Sequence, residues 1–213
     1  MSDYGFVPLL RSTRTRARQP LRIGYVGTLV WHKGVHVLVD AVRSLPPESY
    51  EVTIHGDTSV FPEYVAELRA KGAGLPVRFV GAFDRADASA VYAGIDVLVV
   101  PSIWMENSPL VIHEAFMAGV PVVGARIGGI PSLVHDGVTG CLYDSSPEAL
   151  GTILAHLLEH PDVLEAMRVT LATAPGVKSI DDDARELEAM YASLRAAKSE
   201  DRDDPPVEDG RAS

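Results

Sequence analysis

Apolar residues along this chain fall into short blocks of two alternating kinds. LRIGYVG (21–27), YEVTIHG (50–56), PVRFVGAF (76–83), IDVLVVPS (95–102), VPVVGA (120–125) and TGCLYD (139–144) are compact apolar runs bounded by turn residues, and each predicts a strand. KGVHVLVDAVRSL (33–45) and the stretches 61–71, 86–93, 109–118 and 130–135 lie between them and predict helices. Run 95–102 is apolar on both faces, which predicts a central strand covered from either side. Beyond residue 144 the pattern is helical only, over 147–159, 161–172 and 182–196. Strands alternating with helices predict an α/β fold: a single Rossmann-like domain, with a parallel sheet and helices on both faces. Such sheets bind ligands beyond the carboxyl ends of their strands. The polar or Gly-rich stretches GTLVWHKG, HGDTS, PSIWMENSP and GARIGG all fall at such ends.

The two termini differ from this pattern. Residues 1–20, with RSTRTRARQP, are basic and aperiodic and read as a linker or arm. Residues 197–213 are charged, Pro-containing and nearly free of large apolar side chains, and read as a disordered acidic tail. The folded domain is therefore expected over 21–196. A formal net charge of −10 with no basic stripe argues against a nucleic-acid partner. The single cysteine, Cys141, excludes an internal disulfide and a cysteine-based zinc cluster. With no signal-peptide pattern and no apolar run of membrane-spanning length, the expectation is a soluble, cytoplasmic chain without a transmembrane segment.

Candidate chemistry concentrates in ENSPLVIHEAFMAGVPVV (106–123). Ser108 suits an N-cap, Pro109 the first helical position and Gly119 the stop, which predicts a helix from Pro109 to Ala118. The amides of Leu110 and Val111 would then be free at the helix start, where a phosphate fits. Glu106 stands in the loop before that start and Glu114 lies one turn beyond Leu110. Carboxylates repel a phosphate about 4 Å away by roughly 1–4 kcal/mol at surface-like dielectric. They should therefore face hydroxyl-bearing groups on either side of it. A sugar–diphosphate–nucleoside has that layout. Lys33 offers the diphosphate a cation, Gly34 close backbone approach, and Gly128 with Gly129 room for a sugar against bare backbone. Taken singly, Glu106 reads as a solvated loop residue, Glu114 equally well as a core carboxylate, Lys33 as an exposed lysine and Gly128–Gly129 as a turn. Their convergence at successive strand ends is what favours a site.

The run PSIWMENSPLVIHEAFMAGVPVVGARIGGIPSLVHDGVTGCLYD resembles the C-terminal, donor-binding half of family 4 retaining glycosyltransferases of the GT-B fold (glycosyl transferases group 1). Glu106 and Glu114 match that family's two glutamates separated by seven residues, and GTLVWHKGVHVLVDA, HGD, VRFVGAF and YAGIDVLVVPS follow its order. The resemblance implies a nucleotide-diphospho-sugar partner of the UDP or GDP type. Glu106 would meet the transferred sugar, Glu114 the ribose, and Lys33 the diphosphate. Glu106 and Lys33 are thus the catalytic candidates. Thr28, Gly34, Gly56, Asn107, Ser108, Leu110, Val111, Glu114, Gly128 and Gly129 join them in the donor-binding set. No metal and no cofactor is implied. Thr28 stands where the family often has arginine, with Arg126 and His32 the candidates to replace it. Asn107–Ser108–Pro109 stands in place of the usual glycine-containing loop. The family also implies an N-terminal acceptor domain, in cis or in trans, onto which the last helix would cross. Any peripheral membrane association would belong to that half. The domain alone is expected to be inactive. A nucleotide-sugar epimerase half and a non-catalytic binding subunit are the alternative readings. A dinucleotide-dependent oxidoreductase has less support, since no GxGxxG turn follows the first strand.

Overall fold

Six strands make one parallel sheet in the order β3-β2-β1-β4-β5-β6. They are β1 Leu21–Val26, β2 Tyr50–His55, β3 Val77–Gly81, β4 Val97–Val100, β5 Val122–Ala125 and β6 Gly140–Tyr143. The structure, a computed structural model, describes residues 20–173 and 180–200. The expected arm and acidic tail lie outside these, save residue 20 and the helical residues 197–200. The helices are α1 Val35–Ala41, α2 Pro62–Lys71, α3 Ala88–Ala93, α4 Leu110–Met117, α5 Ile130–Leu133, α6 Pro147–Glu159, α7 Pro161–Thr173 and α8 Ile180–Glu200. α8 belongs to a second compact unit and is described by itself. Its exposed apolar residues Leu187, Met190, Tyr191 and Leu194 recur at the spacing of one helix face.

The expected alternation of strands and helices is thus observed, and β4 is central and fully buried. Because successive strand residues face opposite sides, β4 feeds two cores. Val97 and Val99 join one with Ile23 and Val52 of the neighbouring strands, Leu38 of α1, Leu68 of α2, Leu150 and Leu154 of α6 and Leu164 of α7. Leu98 and Val100 join the other with Ile95, which precedes β4, and with Tyr92, Ile112 and Ile130 of α3, α4 and α5. β1 pairs with β2 on one side and with β4 on the other. The chain therefore reverses its direction of growth between β1 and β4, and that switch point opens a crevice beyond their carboxyl ends.

Element boundaries depart from the sequence expectation in two informative places. The first helix does not begin at Lys33. Trp31–Lys33 form a 3-10 turn, and Gly34, at φ 71°, breaks it before α1 begins at Val35. A Cβ at Gly34 would overlap the Pro101 carbonyl oxygen as well as strain the backbone. α4 begins one residue late: Pro109, with ψ 113°, is its N-cap, and Ser108 makes no capping bond. The Ser108 hydroxyl lies instead 3.2 Å from His113 Nε2. The far end of α4 is as expected. Gly119 adopts φ 67°, its amide donates to Phe116, and the Val120 amide donates to Ala115, a Schellman stop.

Cys141 lies on β6 and is buried. Burial, and next the charge of Asp136, push its thiol up to about 11. At pH 8 the native thiol is almost wholly protonated, while an unfolded cysteine near pKa 8.5 is about a quarter thiolate. Iodoacetamide labelling at pH 8 is expected to be at least about tenfold slower in the native chain than in urea. Equal rates would show that β6 opens freely.

Candidate functional site

The loops leaving β1 and β4 meet across the switch point. The Ile103 amide donates to the His32 carbonyl at 3.0 Å, and Gly34 packs on Pro101. This joint carries Lys33 and Glu106, which are 73 positions apart in sequence, to one place. Lys33 Nζ donates to Glu106 Oε1 at 2.6 Å, with side chains 31% and 14% exposed respectively. The half-buried pair leaves the ammonium enough exposure to reach a ligand. A third loop, from β5 to α5, closes the same joint. The Gly129 amide donates to the Glu106 carbonyl at 2.6 Å. A Cβ on Gly128 or Gly129 would overlap the backbone of Glu106 or Asn107. The close approach that these bare glycines allow, expected to serve a sugar, is made to the Glu106–Asn107 loop.

Beside this pair lies the start of α4. Its first bond runs from the Ile112 amide to the Pro109 carbonyl. The amides of Leu110 and Val111 thus precede any intrahelical partner and carry the positive end of the helix dipole. Leu110 is exposed at 68%, so that end is open to solvent. Glu114 follows one turn on. Its Oε2 accepts from the Tyr92 hydroxyl on α3 at 2.8 Å, and Tyr92 itself is fully buried. Glu106 has a similar support, for the Ser102 hydroxyl donates to its Oε1 at 2.8 Å, and Ser102 is 2% exposed. The loop after β4 and the start of α4 thus carry two carboxylates and a pair of amides without intrahelical partners, and Lys33 is paired to the first carboxylate. Such a set can hold an anion between two hydroxyl-bearing groups.

The remaining expected residues lie in the loops that follow β1, β2, β4 and β5. Thr28 is exposed in the β1–α1 loop, and its carbonyl accepts from the Tyr25 hydroxyl at 2.8 Å. Asn107 and Ser108 are exposed in the β4–α4 loop. Gly56 follows β2, its amide donating to Gly81, and a Cβ there would overlap the Gly27 carbonyl oxygen. Of the two candidates to replace an arginine at Thr28, Arg126 is engaged by Asp136 at 3.1 Å and Asp144 at 3.6 Å. His32 sits in the same turn as Lys33.

Two residues of the site region, Tyr92 and Ser102, are not singled out by their chemistry in the sequence. Tyr92 and Ser102 read as strand- or helix-flanking positions, and nothing local links them to a glutamate. His55, at the end of β2, is 8% exposed and packs edge-on against Phe83 at 5.7 Å. Its Nδ1 has no partner among the described residues. Burial, and next the charge of Arg78, hold its pKa below the ordinary value. A groove of about 560 Å³ elsewhere, between the end of α2 and edge strand β3, includes Arg69 and Phe79 in its lining. Arg69 stacks over the Phe79 ring at 5.0 Å. It has no carboxylate in its lining and stands apart from the converging loops.

Residues 20–160 match the family model described as Glycosyl transferases group 1. A D-inositol 3-phosphate glycosyltransferase of Corynebacterium diphtheriae is 32% identical over 199 residues, covering 84% of this chain and 46% of that protein. The sulfoquinovosyl transferase SQD2 of Arabidopsis thaliana is 34% identical over 154 residues, covering 68% of this chain and 29% of its own length. Among solved structures, Anabaena Alr3699/HepE in complex with UDP superposes with a TM-score of 0.71 at 26% identity, over 81% of this chain and 49% of that one. The same Anabaena protein in complex with UDP-glucose matches with a TM-score of 0.71 at 25% identity, over 81% of this chain and 49% of that one. The sheet and helices match these GT-B structures. The chain spans about half the length of the curated relatives it matches.

Proposed function

Since this chain belongs to the glycosyl transferases group 1 family, we propose that it is the donor-binding half of a retaining glycosyltransferase. It holds a nucleotide-diphospho-sugar at the switch point between β1 and β4. An N-terminal acceptor domain, in cis or in trans, completes the active site, and the domain alone transfers poorly or not at all. The observation that supports this reading is the pairing of Lys33 with Glu106 across the β1 and β4 loops, four residues before the exposed start of α4. Lys33 and the amides of Leu110 and Val111 take the diphosphate and stabilise the charge that builds on it as the sugar leaves. Glu106 accepts from hydroxyls of the transferred sugar, and Glu114 from the ribose. Thr28, Asn107 and Ser108 line the site from exposed loop positions, and Gly34, Gly56, Gly128 and Gly129 contribute by letting those loops pack closely on one another. Retention follows the resemblance to retaining transferases, and the anomer of the product, read by NMR once an N-terminal half is supplied, tests it.

UDP and UDP-glucose are the ligands to try first, because the similar Anabaena structures contain them. Calorimetric titration of the 213-residue chain with both separates the two carboxylates. Glu114→Gln is expected to weaken both ligands, by roughly 1.5–3 kcal/mol for a lost charged hydrogen bond. Glu106→Gln is expected to weaken only UDP-glucose to that extent. It should leave UDP bound as tightly or more so, because Lys33 is then free of its carboxylate partner. Were Glu106→Gln to weaken UDP as much as Glu114→Gln does, this division of labour would be wrong. No heat with either ligand in the parent chain would count against donor binding itself.

A further inference from the structure

Each of the two glutamates assigned to the donor is held on one oxygen by a hydroxyl from inside the domain. Ser102 donates to Oε1 of Glu106 and Tyr92 to Oε2 of Glu114, both at 2.8 Å. Ser102 is 2% exposed and Tyr92 is 0% exposed, so neither hydroxyl is placed to touch a ligand in the crevice. A carboxylate has lone pairs on two oxygens. Engaging one from behind fixes the rotation of the group and leaves the other oxygen presented outward. On Glu106 the same oxygen also accepts from Lys33. If the ammonium moves to a diphosphate, Ser102 remains to keep the carboxylate in place.

We propose that Tyr92 and Ser102 are positioning residues, each orienting one glutamate toward a different end of the donor: Tyr92 sets Glu114 for the ribose, and Ser102 sets Glu106 for the transferred sugar. This rests on the reading of the two glutamates given above. A rigid acceptor loses less freedom when a ligand hydroxyl binds, and pre-ordering strengthens binding without a new contact. A buried tyrosine or serine also needs a hydrogen-bond partner for purely structural reasons. The test must therefore read something that stability alone does not move.

Two affinity ratios in the same 213-residue chain do this. The preference for UDP over 2′,3′-dideoxyuridine diphosphate reports on ribose hydroxyls, and the ratio of UDP-glucose to UDP affinity reports on the sugar. Tyr92→Phe is expected to reduce the first ratio about fivefold and leave the second within about twofold, the scale of one net hydrogen bond. Ser102→Ala is expected to do the reverse. General loosening of the domain would move both ratios in both variants and would overturn the proposal. Glu114→Gln and Glu106→Gln are run beside them. If those variants shift their own ratios while Tyr92→Phe and Ser102→Ala do not, positioning is wrong and the reading of the site stands. If the glutamate variants shift neither ratio, that reading fails and this proposal falls with it. Should a variant not fold, a crystal of the parent chain soaked with UDP-glucose decides. Tyr92 and Ser102 still bonded to the glutamates, with ligand hydroxyls on the opposite oxygens, supports the proposal. Ligand hydroxyls on the oxygens that Tyr92 and Ser102 now hold overturn it.

Discussion

Lys33→Ala is expected to weaken UDP binding by roughly 3–5 kcal/mol, about 10²–10⁴-fold, and to leave uridine binding unchanged. Two effects add. The diphosphate loses a charge-assisted partner, for which roughly 1.5–3 kcal/mol is typical. Removing the ammonium also strips Glu106 of its ion pair at 2.6 Å. A bare carboxylate then faces the incoming diphosphate and repels it, by roughly 1–4 kcal/mol at about 4 Å. The second effect can be isolated. Adding Glu106→Gln to Lys33→Ala removes the repulsion, so the double variant should bind UDP more tightly than Lys33→Ala alone. The coupling energy of the cycle is then a direct measure of the pair. The salt dependence of UDP binding should also flatten when Lys33 is lost. Equal losses for uridine and UDP would mean that the substitution damages the fold and not the anion site.

Much of this arrangement is legible in the sequence because local rules govern it. The parallel sheet follows from apolar runs such as 97–100, where every side chain is buried and either face meets a core. The stop of α4 follows from Gly119, which only needs its own left-handed φ. The start of α4 does not follow so easily. Ser–Pro favours a capping serine, yet Pro109 takes an extended ψ of 113° and Ser108 finds His113 instead. Two local preferences compete there, and the loop geometry decides. The partnerships of the site were not legible at all. Lys33 with Glu106 spans 73 positions and Tyr92 with Glu114 spans 22. Both depend on which strand lies beside which, and on how α3 packs against α4. The sequence pattern gives Lys33 and Glu106 to different parts of a ligand. In the folded chain they are first each other's partner. Likewise, the bare backbone at Gly128 and Gly129 was legible, but what lies against it was not.

Asp96→Ala is expected to destabilise the domain by roughly 3–5 kcal/mol, the range for breaking a buried ion pair from one side. Asp96 is wholly buried just before β4. Its Oδ2 accepts from the Arg22 backbone amide at 3.0 Å and from Nε at 3.1 Å, while Oδ1 accepts from Nη2 at 2.7 Å. Arg168 on α7 lies 3.4 Å from Oδ1 and donates to the Asp96 carbonyl at 3.0 Å. Burial lowers the Arg168 pKa while Glu165 raises it, so keeping this charged guanidinium in place has a desolvation cost that its carboxylate neighbours offset. Without Asp96, two guanidinium groups face one another, and one of them is 85% shielded from water. Adding Arg168→Met should therefore restore part of the loss, because it removes a largely buried charge left with Glu165, at 3.4 Å, as its carboxylate partner, and keeps apolar volume. Urea unfolding followed by circular dichroism reads both variants. This network lies at the amino ends of β1 and β4, and the Lys33–Glu106 pair lies beyond their carboxyl ends. The four residues of β4, a length of about 13 Å, separate the two. Sites so separated act almost independently. The folded fraction of Asp96→Ala should therefore bind UDP with the affinity of the parent chain. A loss under about 1 kcal/mol would show that water solvates the cluster. A fall in UDP affinity of the folded fraction would show that the sheet transmits strain from its amino end to the crevice.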